Sequence, residues 1–153
     1  MKNSILKFGV YSLLTALILF LAGLYLGKNL SFSTQAVIGY ASMVVSLLFV
    51  FFGIKHYRDK ENNGNLSFGK ALLIGIIISL FAGVGFAIID YIYTTSINPD
   101  FFENYKAAMI ADGYEGEIPE YTSGFMAFIM FATVLVIGFI ISLISALILQ
   151  RKN

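Results

Sequence analysis

Four apolar runs, at 8–27, 36–54, 71–93 and 124–149, constrain this chain more than any other feature, because each is long enough to cross a lipid bilayer. A hydrocarbon core of roughly 30 Å takes about 20 helical residues. Within it no water is present to satisfy a free N–H or C=O, so a spanning segment must close its hydrogen bonds internally. The runs are rich in Val, Ile and Phe, which favour strands in water, but solvation overrides that preference here. The chain is therefore predicted to be all-α: a single integral membrane domain, 1–153, built as a four-helix bundle. Composition agrees, since 58% hydrophobic and 12% charged residues leave too much apolar surface for a soluble core to hide.

The first run follows Lys2 and Lys7, as a secretory signal also would. It continues, however, through Gly23-Leu-Tyr-Leu-Gly27 to Lys28 without a small-x-small exit, so it reads as a retained helix. The absence of cysteine excludes disulfides, thiolate metal sites, thiol nucleophiles and a lipoprotein-type anchor. With no Trp, the interface anchors fall to tyrosine.

Charge asymmetry gives the expected orientation. Lys2, Lys7, Lys55, Arg58, Lys60, Lys70, Arg151 and Lys152 fall on one side of the membrane, and only Lys28 and Lys106 on the other. By the positive-inside rule the first side is cytoplasmic, with both termini inside. The outer loop 94–123 then carries six acids against Lys106 alone. Within it Asn98-Pro99-Asp100 is a helix start, with Asn as N-cap and Pro at the first helical position, and the helix should run over about 99–112 and end before Gly113. Phe101, Phe102, Tyr105, Ala108 and Met109 give this short extracytoplasmic helix one apolar face. Its polar face is acidic, unlike that of most membrane-surface helices, so docking onto the outer ends of the bundle is expected.

Small residues recur every fourth position in helix three, at Gly75, Ser79, Gly83 and Ala87, and again at Gly23 and Gly27 and at Gly138, Ser142 and Ala146. Such stripes let helix backbones approach closely, here within one chain in preference to a homodimer seam. No internal repeat of the kind found in inverted-repeat transporters is visible.

Candidate chemistry is sparse. Gly64-Asn-Leu-Ser-Phe-Gly69-Lys70 matches the spacing of a phosphate-binding loop, but Ala71 stands where the Mg²⁺-binding Ser or Thr belongs, and a membrane helix precedes it where a buried strand is needed. Neither a nucleotide nor a nucleic acid is expected as a partner. The better account is a hairpin: Asn62-Asn63-Gly64 turns, Ser67 caps helix three, and Lys70 sits at headgroup level. Ser67 and Lys70 also copy a Ser-x-x-Lys spacing, without the companion motifs a hydrolase requires. Lys55, Arg58 and Lys70 are candidate contacts for a lipid phosphate, weighed against ordinary positive-inside anchoring. Asp90 is the one acid within a spanning run and hence the candidate ion or proton site, unless it is hydrated or paired with Lys28 or Lys106. His56, the only histidine, sits at the inner boundary with only Asp59 and Glu61 near it, which does not make a metal site. The acidic outer loop has no EF-hand spacing. No catalytic residue, metal or cofactor is assigned.

Gly53-Ile-Lys55, Tyr57-Arg-Asp59, Asn63-Gly64 and Ser67-Phe-Gly-Lys-Ala71, together with Asn98-Pro-Asp-Phe101 and the tail Ile137–Leu149, resemble the signature of an uncharacterised bacterial family, a domain of unknown function made of small four-helix membrane proteins. The resemblance covers nearly the whole chain. It implies a multi-pass protein of the bacterial inner membrane and carries over no activity and no site residues. The reading is thus a non-enzymatic structural or accessory membrane protein in contact with lipid, with an unidentified membrane partner or a homo-oligomer. The alternatives are a small transporter using Asp90 and an anionic-lipid binder using the inner hairpin.

Overall fold

The computed structural model describes residues 1–151 and is 82% helical. Its elements are α1 (Lys2–Gly27), α2 (Phe32–His56), α3 (Phe68–Ile92), α4 (Phe101–Ala111) and α5 (Ser123–Leu149). Helices α1, α2, α3 and α5 are long and apolar enough to cross a membrane, so the chain has the build of a multi-pass membrane protein. Lys152, counted above among the basic residues, lies outside the described residues.

Two helices overrun their apolar stretches by a π-helical turn, Tyr57–Glu61 after α2 and Tyr93–Ile97 after α3. α1 starts at Lys2, well before the apolar run at 8, because a helix does not have to end where its hydrophobic residues do. Chain entry is handled by hydroxyl caps: Ser31 Oγ accepts from Thr34 N–H and Thr122 Oγ1 from Phe125 N–H, both at 3.3 Å. Ser67 is the N-cap of α3 in extended backbone, but its side chain makes no capping bond. The hairpin between α2 and α3 turns at Asn63, φ 51°, and Gly64, φ 81°, the left-handed conformations that Asn and Gly tolerate best.

α2 and α3 lie across the middle of the bundle, with α1 against both on one side and α5 against both on the other. Burial follows this plan. Half of the apolar window of α3 is inside the protein, against 22% for α1 and for α5. The core is formed by Leu47, Val50 and Ile54 of α2, Ile74, Ile78 and Phe86 of α3, and Val134 of α5, all without exposed surface. Large apolar side chains such as Ile18, Val37, Phe128 and Leu147 face outwards, which suits a hydrocarbon solvent and would be unfavourable in water.

The small-residue stripes meet within the chain. Gly75 of α3 lies against the Ser142 side chain of α5, and Gly138 of α5 against Ser79 of α3, a reciprocal pair of close approaches. Gly23 and Gly27 lie against Ile38 and Gln35 of α2. At these crossings the serine hydroxyls are returned to their own helices, Ser79 donating to Gly75 O at 2.8 Å and Ser142 to Gly138 O at 2.6 Å. Small residues thus bring the backbones together while each buried O–H keeps an acceptor.

Candidate functional site

The two ends of the bundle carry the polar chemistry. One end holds the α2–α3 hairpin, the start of α1 and the end of α5. The other holds α4 and the α1–α2 turn.

At the hairpin end the three basic residues singled out in the sequence behave differently. Arg58 forms a two-pronged pair with Asp59, Nε to Oδ1 at 2.6 Å and the second nitrogen to Oδ2 at 3.2 Å, and its remaining nitrogen donates to Leu149 O at 3.4 Å. It is therefore neutralised and spent on capping the C-terminus of α5. Lys55 and Lys70 are exposed and form no ion pair among the described residues, so of the three they alone keep their charge for a phosphate. Arg151 also ties down the hairpin through its backbone, exchanging N–H···O bonds with Leu66 at 2.8 and 2.9 Å.

A second cluster at this end was not found from the sequence. Ser4 Oγ lies 2.9 Å from His56 Nδ1 and donates to Glu61 Oε1 at 2.7 Å, and the Met1 amine pairs with the other Glu61 oxygen. The residue types are those of a hydrolase triad, but the bonding is not. A hydroxyl has one proton, and here it goes to Glu61, so Nδ1 must donate to Ser4 and cannot take its proton. The glutamate meets the serine and not the far side of the imidazole, so nothing raises the nucleophilicity of Ser4. The cluster is a strut joining the start of α1 to the end of α2. No short motif announces it, but α1 and α2 form an antiparallel hairpin, and Ser4 and His56 are nearly equidistant from its turn. The same register places Ser12 Oγ on Ser46 O at 2.7 Å.

Asp90 lies in the last turns of α3, half-buried, with its Oδ2 enclosed and without a hydrogen-bond partner among the described residues. Neither Lys28 nor Lys106 pairs with it, which corrects that alternative. The reason is placement. Lys28 turns instead over the Tyr25 ring, 5.1 Å from its centroid, and Lys106 is on α4. The main-chain carbonyl of Asp90 accepts from the Thr94 hydroxyl at 2.9 Å.

At the α4 end an aromatic chain docks the short helix. Phe101 meets Phe32 at 5.7 Å and Tyr93 at 5.9 Å between ring centroids, Tyr105 meets Phe32 at 5.2 Å, and Phe102 meets Tyr121 at 6.1 Å. Most of these pairs are edge-to-face, the arrangement favoured by the ring quadrupoles. α4 begins at Phe101 with Asp100 as N-cap, two residues later than the Asn-Pro signal predicts. The Asn98 carbonyl, which accepts from Phe101 N–H at 3.1 Å, belongs to the turn before the helix. It ends at Ala111, ahead of Gly113 at φ 88°.

Residues 7–151 match the model of a family described as protein of unknown function, DUF4199. The chain belongs to this family. No curated protein and no solved structure matches the chain. Within this DUF4199 member the match takes in all four long helices, the hairpin and α4, so the family resemblance read from the hairpin residues extends over the bundle as a whole. Of the strut residues, Met1 and Ser4 precede the matched segment.

Proposed function

We propose that the protein is a non-enzymatic structural or accessory component of a bacterial inner membrane, held by lipid and by a membrane partner or a second copy of itself. The observation that carries this reading is the reciprocal Gly75–Ser142 and Gly138–Ser79 packing, which spends the small-residue faces inside the chain and leaves the outer faces of α1 and α5 apolar and open to lipid or to another helix. It is tested by crosslinking in intact membranes followed by gentle detergent extraction. A companion of constant identity is expected, and repeated recovery of the chain alone as a monomer overturns the accessory reading.

The proposed orientation places the hairpin, the start of α1 and the end of α5 in the cytoplasm and α4 outside, supported by the seven described basic residues at the hairpin end. The natural lack of cysteine makes a clean test available. A single cysteine at Asp112 is expected to react with a membrane-impermeant maleimide added from outside, and one at Gly64 only after the membrane is opened. The reverse pattern overturns the orientation.

A second reading, ion or proton handling, is favoured by the orphaned oxygen of Asp90, since an uncompensated acid within a spanning helix is costly to keep. Loss of flux from proteoliposomes on Asp90→Asn would support it, and unchanged flux removes its main support.

A further inference from the structure

Beyond Gly83 the packed seam between α3 and α5 opens. A Cβ on Gly83 would meet the Phe131 ring at 2.9 Å, so the two helices are in contact at that level. One turn further towards α4, an apolar groove of about 350 Å³ lies between them. Three of its lining residues are small, Ala87 of α3 and Gly124 and Ala127 of α5, while Val84, Ile88 and Phe131 are among the large ones. No charged side chain lines it. Gly124 is bare without an internal reason. A Cβ built there meets nothing within 4 Å, whereas Gly75 and Gly138 each face a buried serine of the opposing helix.

We propose that this groove is the docking site of a second copy of the chain, each copy inserting its Phe128 ring between α3 and α5 of the other. Such docking rests on the second-copy form of the function proposed above and supplies its surface. Knob and hole share one face of the molecule: Phe128 is one helical turn from Gly124, follows Ala127 directly, and is 64% exposed. They also share one depth. Copies of one chain enter the membrane the same way round because of its charge asymmetry, so a two-fold axis relating them runs along the membrane normal, and only features at the same level can meet across it. Phe128 lies between Gly124 and Phe131 in α5 and is therefore level with the groove that those residues line.

Size and shape agree. A cavity of roughly 150 Å³ holds a benzene molecule, so about 350 Å³ takes a phenyl ring together with the chain that carries it. Small residues beside the ring let the partner's backbone come close, which is how helices associate where no hydrophobic effect drives them together. An acyl chain bends to fill any lipid-facing groove, and it accounts for neither the bare Gly124 nor the projecting ring next to it.

The test uses the full chain in phospholipid vesicles, labelled with donor and acceptor dyes at Asp112→Cys, with association read as energy transfer against dilution in lipid. Saturable transfer is expected from the natural sequence at Gly124 and Phe128. Phe128→Ala, which removes the knob, and Gly124→Leu, which fills the hole from a position with free space around it, should each weaken association roughly tenfold or more, with helicity retained. In native membranes a short bis-maleimide should link Gly124→Cys into a dimer but not Tyr25→Cys, which is as exposed but lies on α1. The docking is overturned if copies do not associate, if either groove variant associates as tightly as the natural chain, if Tyr25→Cys is linked equally well, or if a photoactivatable phospholipid labels the groove in place of a second copy. Failure here leaves the accessory reading to its own test, since a companion of a different kind would still be recovered by crosslinking in intact membranes.

Discussion

Gly75→Ala is expected to destabilise the detergent-solubilised bundle by about 2–3 kcal/mol, the upper part of the range for forcing a methyl group into a closed packing site. A Cβ on Gly75 falls onto the Ser142 side chain and comes within 3.0 Å of Val50 Cγ1, with both neighbours fully buried. Ser142 cannot swing aside without giving up the 2.6 Å bond to Gly138 O, and Val50 is held in the core. Adding Ser142→Gly to the same chain removes the obstacle and should recover most of the loss. The pair is therefore read as a double-mutant cycle in an SDS or thermal unfolding series monitored by helicity. A strong favourable coupling is the expected result. If Gly75→Ala instead changes the oligomeric state and Ser142→Gly gives no rescue, the stripe is a seam between chains and the intramolecular packing argument fails. In lipid this distinction matters more than in water. No hydrophobic driving force separates helix from helix there, so close van der Waals contact supplies much of the specificity.

Asp90→Leu is expected to stabilise the bundle by about 1–3 kcal/mol, the cost of leaving one enclosed polar atom unpartnered. The lower end is favoured because the carboxylate is only half-buried. The same unfolding series measures it, alongside ion and proton flux in proteoliposomes for Asp90→Asn. Stabilisation with unchanged flux leaves Asp90 as a tolerated cost near the end of a helix. A loss of both stability and flux would mean that the carboxylate has an unseen ligand, and it would move the function towards transport.

The number and class of the helices were legible in the residues because they depend on length and solvation alone, and no partner has to be known to apply either. The turn at Asn63-Gly64 and the stop before Gly113 were legible for the same reason, since φ preference is local. The start of α4 was read two residues early, because Asn98 uses its backbone carbonyl for a turn and its side chain towards Tyr93, a tertiary neighbour. Ser67 occupies the expected cap position, yet its hydroxyl makes no capping bond.

Candidate sites divide along the same line. Asp90 and the basic hairpin residues could be singled out because an acid in an apolar run and a charge cluster between two such runs are visible as composition. Which of those charges remain free could not be read. Arg58 is consumed by Asp59 next to it and by Leu149, more than 90 positions away in the chain, whereas Lys28 is free because no acid reaches it. The Ser4–His56–Glu61 strut was invisible for a related reason. Its members are separated by whole helices, and side-chain direction at such distances is set by helix register and crossing.

The amino-acid sequence on its own determined that this chain forms four bilayer-length helices, where they turn, and how unevenly its charge is divided between the two ends. Hydrocarbon length, backbone hydrogen bonding and turn geometry all act within a segment. Only the tertiary structure decided that α2 and α3 form the centre, that Gly75 and Gly138 face serines of the opposing helix, and that Arg58 is neutralised. Each of those depends on how far one helix is rotated and slid against another, and in an apolar solvent that is decided by the fit of side chains across the interface.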